Sequence, residues 1–131
     1  MLDPGIEVRQ EVVLPTIAQA TDASLEYTED MVREYFSDIP IMAEVAWCES
    51  RFVHVDPATG ETKRGHINSQ DIGVMQINEY YHRDTAEKMG LTIEDFEDNL
   101  AYARYLYDTQ GTQPWSASQP CWGNSQHLAM K

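Results

Sequence analysis

Between Arg51 and Gln70 the chain loses the helical spacing of apolar residues that it keeps on either side. Phe52, Val53, His54 and Val55 form a strand-like run that meets Asp56, Pro57, Ala58, Thr59 and Gly60, a cluster of turn formers. Glu61 to Ile67 can pair back, so a β-hairpin is expected that turns at Gly60 and ends near Asp71. One hairpin set among helical segments makes the fold class α+β, mostly α. The chain has 131 residues, enough for one compact core and too few for two.

The helical segments follow from apolar periodicity and end signals. Residues 1–23 carry Pro4, Gly5, Pro15 and scattered charges with no persistent helical face. They read as a flexible or peripheral lead before a folded domain over 24–131. A helix is expected to open at Thr28, an N-cap type, with Glu29 and Asp30 at the positive end of its dipole. Met31, Val32, Tyr35 and Phe36 supply its apolar stripe. Asp38 and Pro40 signal a second start, and Ile41, Val45, Cys48 and Phe52 share a face, which places that helix over 39–51. From Val74 a short helix or bend is expected through Tyr81, then a helix ending at Gly90. Thr92 is the expected cap of a longer helix with Phe96, Leu100, Ala103 and Tyr107 as its stripe and Gly111 as its end. Trp115 to Trp122 reads as an aromatic, turn-rich cover.

Charge and apolar patterning remove several classes of function. The formal net charge is −13, which disfavours nucleic acid and anionic lipid as partners, because both need clustered Lys and Arg. The acidity is uneven: residues 1–44 hold 10 acids and 2 bases, whereas 45–131 hold 12 acids and 7 bases. No apolar stretch reaches the roughly 18 residues of a transmembrane helix, so no membrane insertion is expected. Met1, Leu2 and Asp3 lack the basic start and apolar stretch of an export signal. Cys48 and Cys121 show no close zinc-type spacing, and by counting alone they are either two buried thiols or one long-range disulfide.

Two short segments carry chemistry. Glu49 follows Trp47 and Cys48 at the end of an apolar helix. Partial desolvation there disfavours its charged form and suits it to donate a proton near neutral pH. The second segment is Asp71, Ile72, Gly73, Val74, Met75, Gln76, Ile77, Asn78. Gly73 permits a sharp turn or a close backbone approach, and the amides of Gln76 and Asn78 suit sugar hydroxyl and acetamido groups. Each segment alone is also what an ordinary helix end and an ordinary turn look like. His54, His66, His82 and His127 show no metal-ligand spacing and read as surface or rim residues, so no metal or cofactor is expected. Trp47 is expected in the core. Tyr80, Tyr81 and Trp115 are the better candidates for a cleft wall.

Taken in order, Glu49, Ser50, Arg51, Phe52 followed by Gly73, Val74, Met75, Gln76, Ile77, Asn78 resembles the lysozyme superfamily, in particular its lytic transglycosylase branch. Asn99 to Ala103 resembles a later helix of that family. Tyr107 to Gly111 followed by Trp115, Ser116 and Ala117 resembles c-type lysozymes. Cys48, Glu49 and Ser50 together with Trp115 to Cys121 resemble resuscitation-promoting factors. The resemblance covers residues 38–123 and implies a lysozyme-like fold with helices around a substrate groove. It implies cleavage of the β-1,4 bond between N-acetylmuramic acid and N-acetylglucosamine in peptidoglycan, with Glu49 as general acid. It implies substrate contacts from Ser50, Gln76, Asn78, Tyr102, Tyr105 and Trp115. Asp71 takes the slot of the second carboxylate of c-type lysozymes, or is a structural residue at the hairpin end. Hydrolysis and formation of a 1,6-anhydro ring both remain open. A Cys48–Cys121 disulfide is also implied.

The expected partner is therefore peptidoglycan or a chitooligosaccharide-like glycan, bound by a monomer in an extracellular, periplasmic or cell-wall-associated setting. The export segment would have been removed. A non-catalytic glycan-binding or protein-interaction module on the same fold is the alternative. Arg51, Lys63 and Arg64 are expected near the cleft, which would leave the substrate face close to neutral.

Overall fold

In a computed structural model of the protein, residues 17–124 are described, with side chains from residue 26 onward. The elements are α1 (Ile17–Tyr35), α2 (Ile41–Ser50), β1 (Asp71–Ile72), β2 (Ile77–Asn78), α3 (Glu79–Lys88), α4 (Phe96–Gln110), a 3-10 helix (Gln113–Ser118) and α5 (Gln119–Trp122). The molecule is mostly helical with one two-stranded antiparallel sheet, so the α+β, mostly α class holds.

Helix α2 is the hub. Ile41, Met42, Ala43, Val45, Ala46 and Ser50 are all buried, the signature of a helix covered on most sides. It packs on α1, α5 and the 3-10 helix. Val32 and Phe36 of α1 join the same core, as do Leu100, Tyr102, Ala103 and Leu106 of α4. Cys48 on α2 is joined to Cys121 on α5, with Cα atoms 6.0 Å apart.

Several local expectations need correction. Helix α1 starts at Ile17, well before Thr28. The segment from Ile17 to Tyr27 is rich in Ala, Gln, Leu and Glu, which continue a helix without an interruption at Thr28. Of the expected lead, residues 17–23 are therefore helical, and residues 1–16 lie outside the described part. The cap of α4 is Asp95, whose carboxylate accepts the Asp98 N–H, and not Thr92. Helix α3 is continuous from Glu79, while Val74 to Gln76 form a turn.

The expected hairpin exists only in outline. Its arms meet at the isolated bridge Val55↔Thr62, with Lys63 N–H donating to the His54 carbonyl and Gly60 N–H to the Asp56 carbonyl. The regular sheet lies later, where Asp71 pairs with Asn78 and Ile72 with Ile77. Asp71 thus opens a strand instead of ending one. The 52–67 segment is mostly polar and exposed beyond His54, so it has no apolar face to stabilise a longer ladder.

Candidate active site

Glu49 sits in the last turn of α2, and the chain leaves that helix abruptly. Arg51 and Phe52 both adopt left-handed backbone, with φ of 58° and 64°. The Arg51 guanidinium donates to the Trp47 and Cys48 carbonyls, and the Arg51 backbone N–H also donates to the Trp47 carbonyl, so this one residue closes the helix end. The reversal carries His54 beneath the Gly73 turn. There Nδ1 accepts the Val74 N–H at 3.0 Å and Nε2 donates to the Glu94 carbonyl at 2.7 Å. His54 is a buried, neutral anchor, only 6% exposed, and not the surface residue expected. His66 is exposed, His82 is half-buried, and His127 lies outside the described residues.

The Gly73 turn is held from its other side by Asn99 of α4. The Asn99 carbonyl oxygen accepts the Met75 N–H, and its amide donates to the Ile72 and Ile93 carbonyls. Gly73 has φ of 78°, and a Cβ there would lie 2.6 Å from Asn99 Nδ2 and 2.7 Å from His54 Cε1. Glycine is required by both conformation and space. Trp115 completes the support, its indole N–H donating to the Met75 carbonyl at 2.9 Å.

These supports frame a cleft of about 320 Å³ lined by residues of α2, β1, β2, α3, α4 and the 3-10 helix. Glu49 and Asp71 both line it, together with Gln76, Asn78, Tyr81 and Trp115. Ser50, Tyr102 and Tyr105 do not. The Ser50 hydroxyl is buried and reaches the Ala46 and Val74 carbonyls, which ties α2 to the turn. Tyr102 is buried with its hydroxyl 2.9 Å from His82 Nδ1, and Tyr105 packs beside its ring.

The two carboxylates are unlike in environment. Burial raises the Glu49 pKa above the ordinary glutamate value; the Ser118 hydrogen bond opposes this, and the charge of Asp71 adds to the rise. Burial also raises Asp71, against a 3.0 Å hydrogen bond from Asn78 Nδ2 that favours its ionised form. Burial is the leading cause in both groups; the charge of Asp71 adds to the rise at Glu49, whereas the Asn78 hydrogen bond opposes the rise at Asp71.

Gln76 and Asn78 line the cleft but are largely occupied within the protein. The Gln76 amide donates to the Gly73 and Asp71 carbonyls, closing its own turn. Asn78 caps α3 by accepting the Tyr80 and Tyr81 N–H groups, besides orienting Asp71. Tyr81 is 73% exposed at the cleft wall with Tyr80 packed edge-on against it, a surface on which a sugar ring can stack. Trp47 is 44% exposed and covered by the Arg51 guanidinium at 3.9 Å, outside the core where it was expected.

The expected basic border is not found at the cleft. Arg51 is engaged with Trp47, and Arg64 pairs with Glu79. No Lys or Arg is among the lining residues, so the cleft is acidic instead of near neutral. Among the described residues no cluster of His, Cys, Asp and Glu is placed to hold a metal ion.

One contact of Glu49 was missed from the sequence. Ser118 Oγ lies 2.7 Å from Glu49 Oε2. A serine in a turn-rich segment carries no local signal that it meets a residue 69 positions away.

Comparison with protein-family models, curated proteins and solved structures found no match to this chain.

Proposed function

We propose that the protein is a lysozyme-like glycosidase that cleaves the β-1,4-linked glycan strand of peptidoglycan, with Glu49 as general acid. The observation that carries this reading is the convergence of two inequivalent carboxyl groups, Glu49 and Asp71, on one cleft. Protonated Glu49 gives its proton to the glycosidic oxygen as the bond from that oxygen to C1 breaks, and the leaving sugar departs as a neutral alcohol. Positive charge spreads over C1 and the ring oxygen, and ionised Asp71 compensates it. Glu49, now a carboxylate, takes a proton from an attacking water, whose oxygen bonds to C1, and the starting state returns.

The presence of Asp71 in the cleft favours this hydrolytic course over closure of a 1,6-anhydro ring by the sugar's own C6 hydroxyl. No cofactor enters either course. The acidic cleft and the exposed Tyr81 suit a substrate held by ring stacking and local hydrogen bonds rather than by long-range attraction. The Cys48–Cys121 disulfide suits an oxidising compartment, so the proposed setting is extracellular, periplasmic or at the cell wall. No helix among the described residues is long and apolar enough to cross a membrane.

Mass spectrometry of digested peptidoglycan tests the reading. Reducing ends are expected from wild type and none from Glu49→Gln. Anhydro ends with a fully active Asp71→Asn would overturn the role of Asp71. Absence of turnover by wild type, with chitooligosaccharide binding kept in Glu49→Gln, would replace the enzyme with a glycan-binding module.

A further inference from the structure

The hydroxyl of Ser118 has one proton and two acceptors within reach. Glu49 Oε2 lies at 2.7 Å and the Trp115 carbonyl at 3.1 Å. A donor approaches the same oxygen: Trp122 Nε1 stands 2.9 Å from Ser118 Oγ, with a longer contact of 3.3 Å to the Trp115 carbonyl, which has a second lone pair for the serine proton. The Trp122 indole N–H can only donate, so it fixes where the serine oxygen stands without deciding where the hydroxyl proton points. Trp122 is almost fully buried and belongs to α5, which the Cys48–Cys121 disulfide links to α2 one residue before Glu49. The oxygen is therefore anchored to the element that carries Glu49.

We infer that Ser118 is a positioning residue for Glu49 that keeps its hydrogen bond in both protonation states of the carboxyl group by rotating its hydroxyl. With Glu49 ionised, the Ser118 O–H donates to Oε2. With Glu49 protonated, the Glu49 O–H donates to Ser118 Oγ, and the serine proton turns to the Trp115 carbonyl. Donors and acceptors balance in each state: the serine oxygen accepts from Trp122 throughout, and its single proton always has an acceptor. No heavy atom has to move. This rests on the reading of Glu49 as the group that first gives and then takes a proton, since such a group must hold one position through both half-reactions.

The bond to the ionised carboxylate is charge-assisted and is the stronger of the two. Removing the hydroxyl therefore raises the Glu49 pKa. A general acid is active while protonated, so the alkaline limb of activity moves to higher pH. Asp71 and His82 also line the cleft and titrate, so Glu49→Gln serves to identify which transition belongs to Glu49.

The experiment is NMR titration of the Trp122 Nε1–H signal and of the Glu49 side-chain carboxyl carbon in wild type, Ser118→Ala, Ser118→Thr and Glu49→Gln. In wild type the Trp122 signal is expected to shift with the Glu49 midpoint, and in Glu49→Gln that transition is expected to vanish. Ser118→Ala is expected to raise the Glu49 midpoint, and Ser118→Thr, which keeps a hydroxyl, to restore it. On peptidoglycan, Ser118→Ala should lower kcat about tenfold with little change in KM, because the contact acts on the proton transfer. A Trp122 signal that stays flat through the Glu49 transition, or a Glu49 midpoint unchanged in Ser118→Ala, overturns the inference. Both NMR results as expected, with no turnover by wild type, support the contact and overturn the glycosidase reading instead.

Discussion

His54 Nδ1 accepts the backbone N–H of Val74 at 3.0 Å, so the turn that precedes the cleft strand β2 hangs on an imidazole that must be neutral at that nitrogen. The opposite ring nitrogen is committed to the Glu94 carbonyl. Protonating Nδ1 would set two donors against each other in a buried site. Burial lowers the His54 pKa, although the Glu94 carbonyl and the charges of Asp95 and Glu94 oppose it. A histidine whose folded pKa is depressed contributes stability that is fully present above its unfolded value, about 6.5. That stability is lost as pH falls through the folded pKa. Urea denaturation is expected to show a lower midpoint at about pH 5 than at about pH 7.5, and His54→Ala to reduce that dependence while costing about 1–3 kcal/mol at neutral pH. An unchanged pH dependence in His54→Ala would place the acid sensitivity elsewhere.

Gly73 and Asn99 form a second joint. Gly73→Ala places a Cβ against Asn99 and His54 at a positive φ. It is expected to destabilise the protein by about 2 kcal/mol or more. Asn99→Leu keeps the volume but leaves the Met75 N–H and the Ile72 and Ile93 carbonyls without their partner, and should cost about 2–4 kcal/mol. Thermal or urea melts measure both. A cost under about 0.5 kcal/mol for either would mean that the turn is held by its packing alone.

Glu49→Gln separates stability from activity. The raised pKa means that the ionised carboxylate is disfavoured in the folded state, so the stability Glu49 contributes at low pH is lost as pH rises through its folded value. Glutamine carries no charge to desolvate. The variant is therefore expected to melt higher than wild type at neutral pH while its turnover falls by about 10²–10⁴-fold. A lower melting temperature with full turnover would contradict both halves. In wild type, activity should fall at high pH as Glu49 loses its proton and at low pH as Asp71 gains one. Each limb should lie higher than the same group would give in water, because burial raises both groups.

The disulfide closes a loop with a sequence separation of 73. By loop-closure entropy it stabilises by roughly 4 kcal/mol. A Cys48→Ala, Cys121→Ala double variant is expected to lose about that much in chemical denaturation. Turnover should fall as well at temperatures where the variant is still folded, because α5 carries Trp122, the anchor of Ser118. Full turnover in a folded variant would show that helix packing alone aligns the two.

Three structural features were legible along the chain. They are the buried stripes of α2 and α4, the left-handed glycine after α3, and the glycine that ends α4. Each depends on spacing within one helix or one turn, and helical periodicity or glycine geometry dictates such patterns locally. The association of Glu49 with the Asp71–Asn78 segment and the Cys48–Cys121 pairing both followed from resemblance, since neither two distant segments nor two thiols by themselves fix a pairing.

Other features depended on distant packing. Trp47 and His54 exchanged their expected places, the tryptophan outward under Arg51 and the histidine inward beneath Val74. Which face of an element is covered depends on what packs over it, and that partner comes from elsewhere in the chain. Gln76 and Asn78 have the right chemistry for sugars, yet their amides serve the turn and the α3 cap, because unsatisfied backbone groups nearby claim them first. The meeting of Ser118 with Glu49 follows from α5 folding back onto α2, a non-local contact with no trace in the periodicity of either segment. Local residue choice thus determines the elements and the candidate acid. Non-local packing determines what surrounds that acid, and so how readily it gives up its proton.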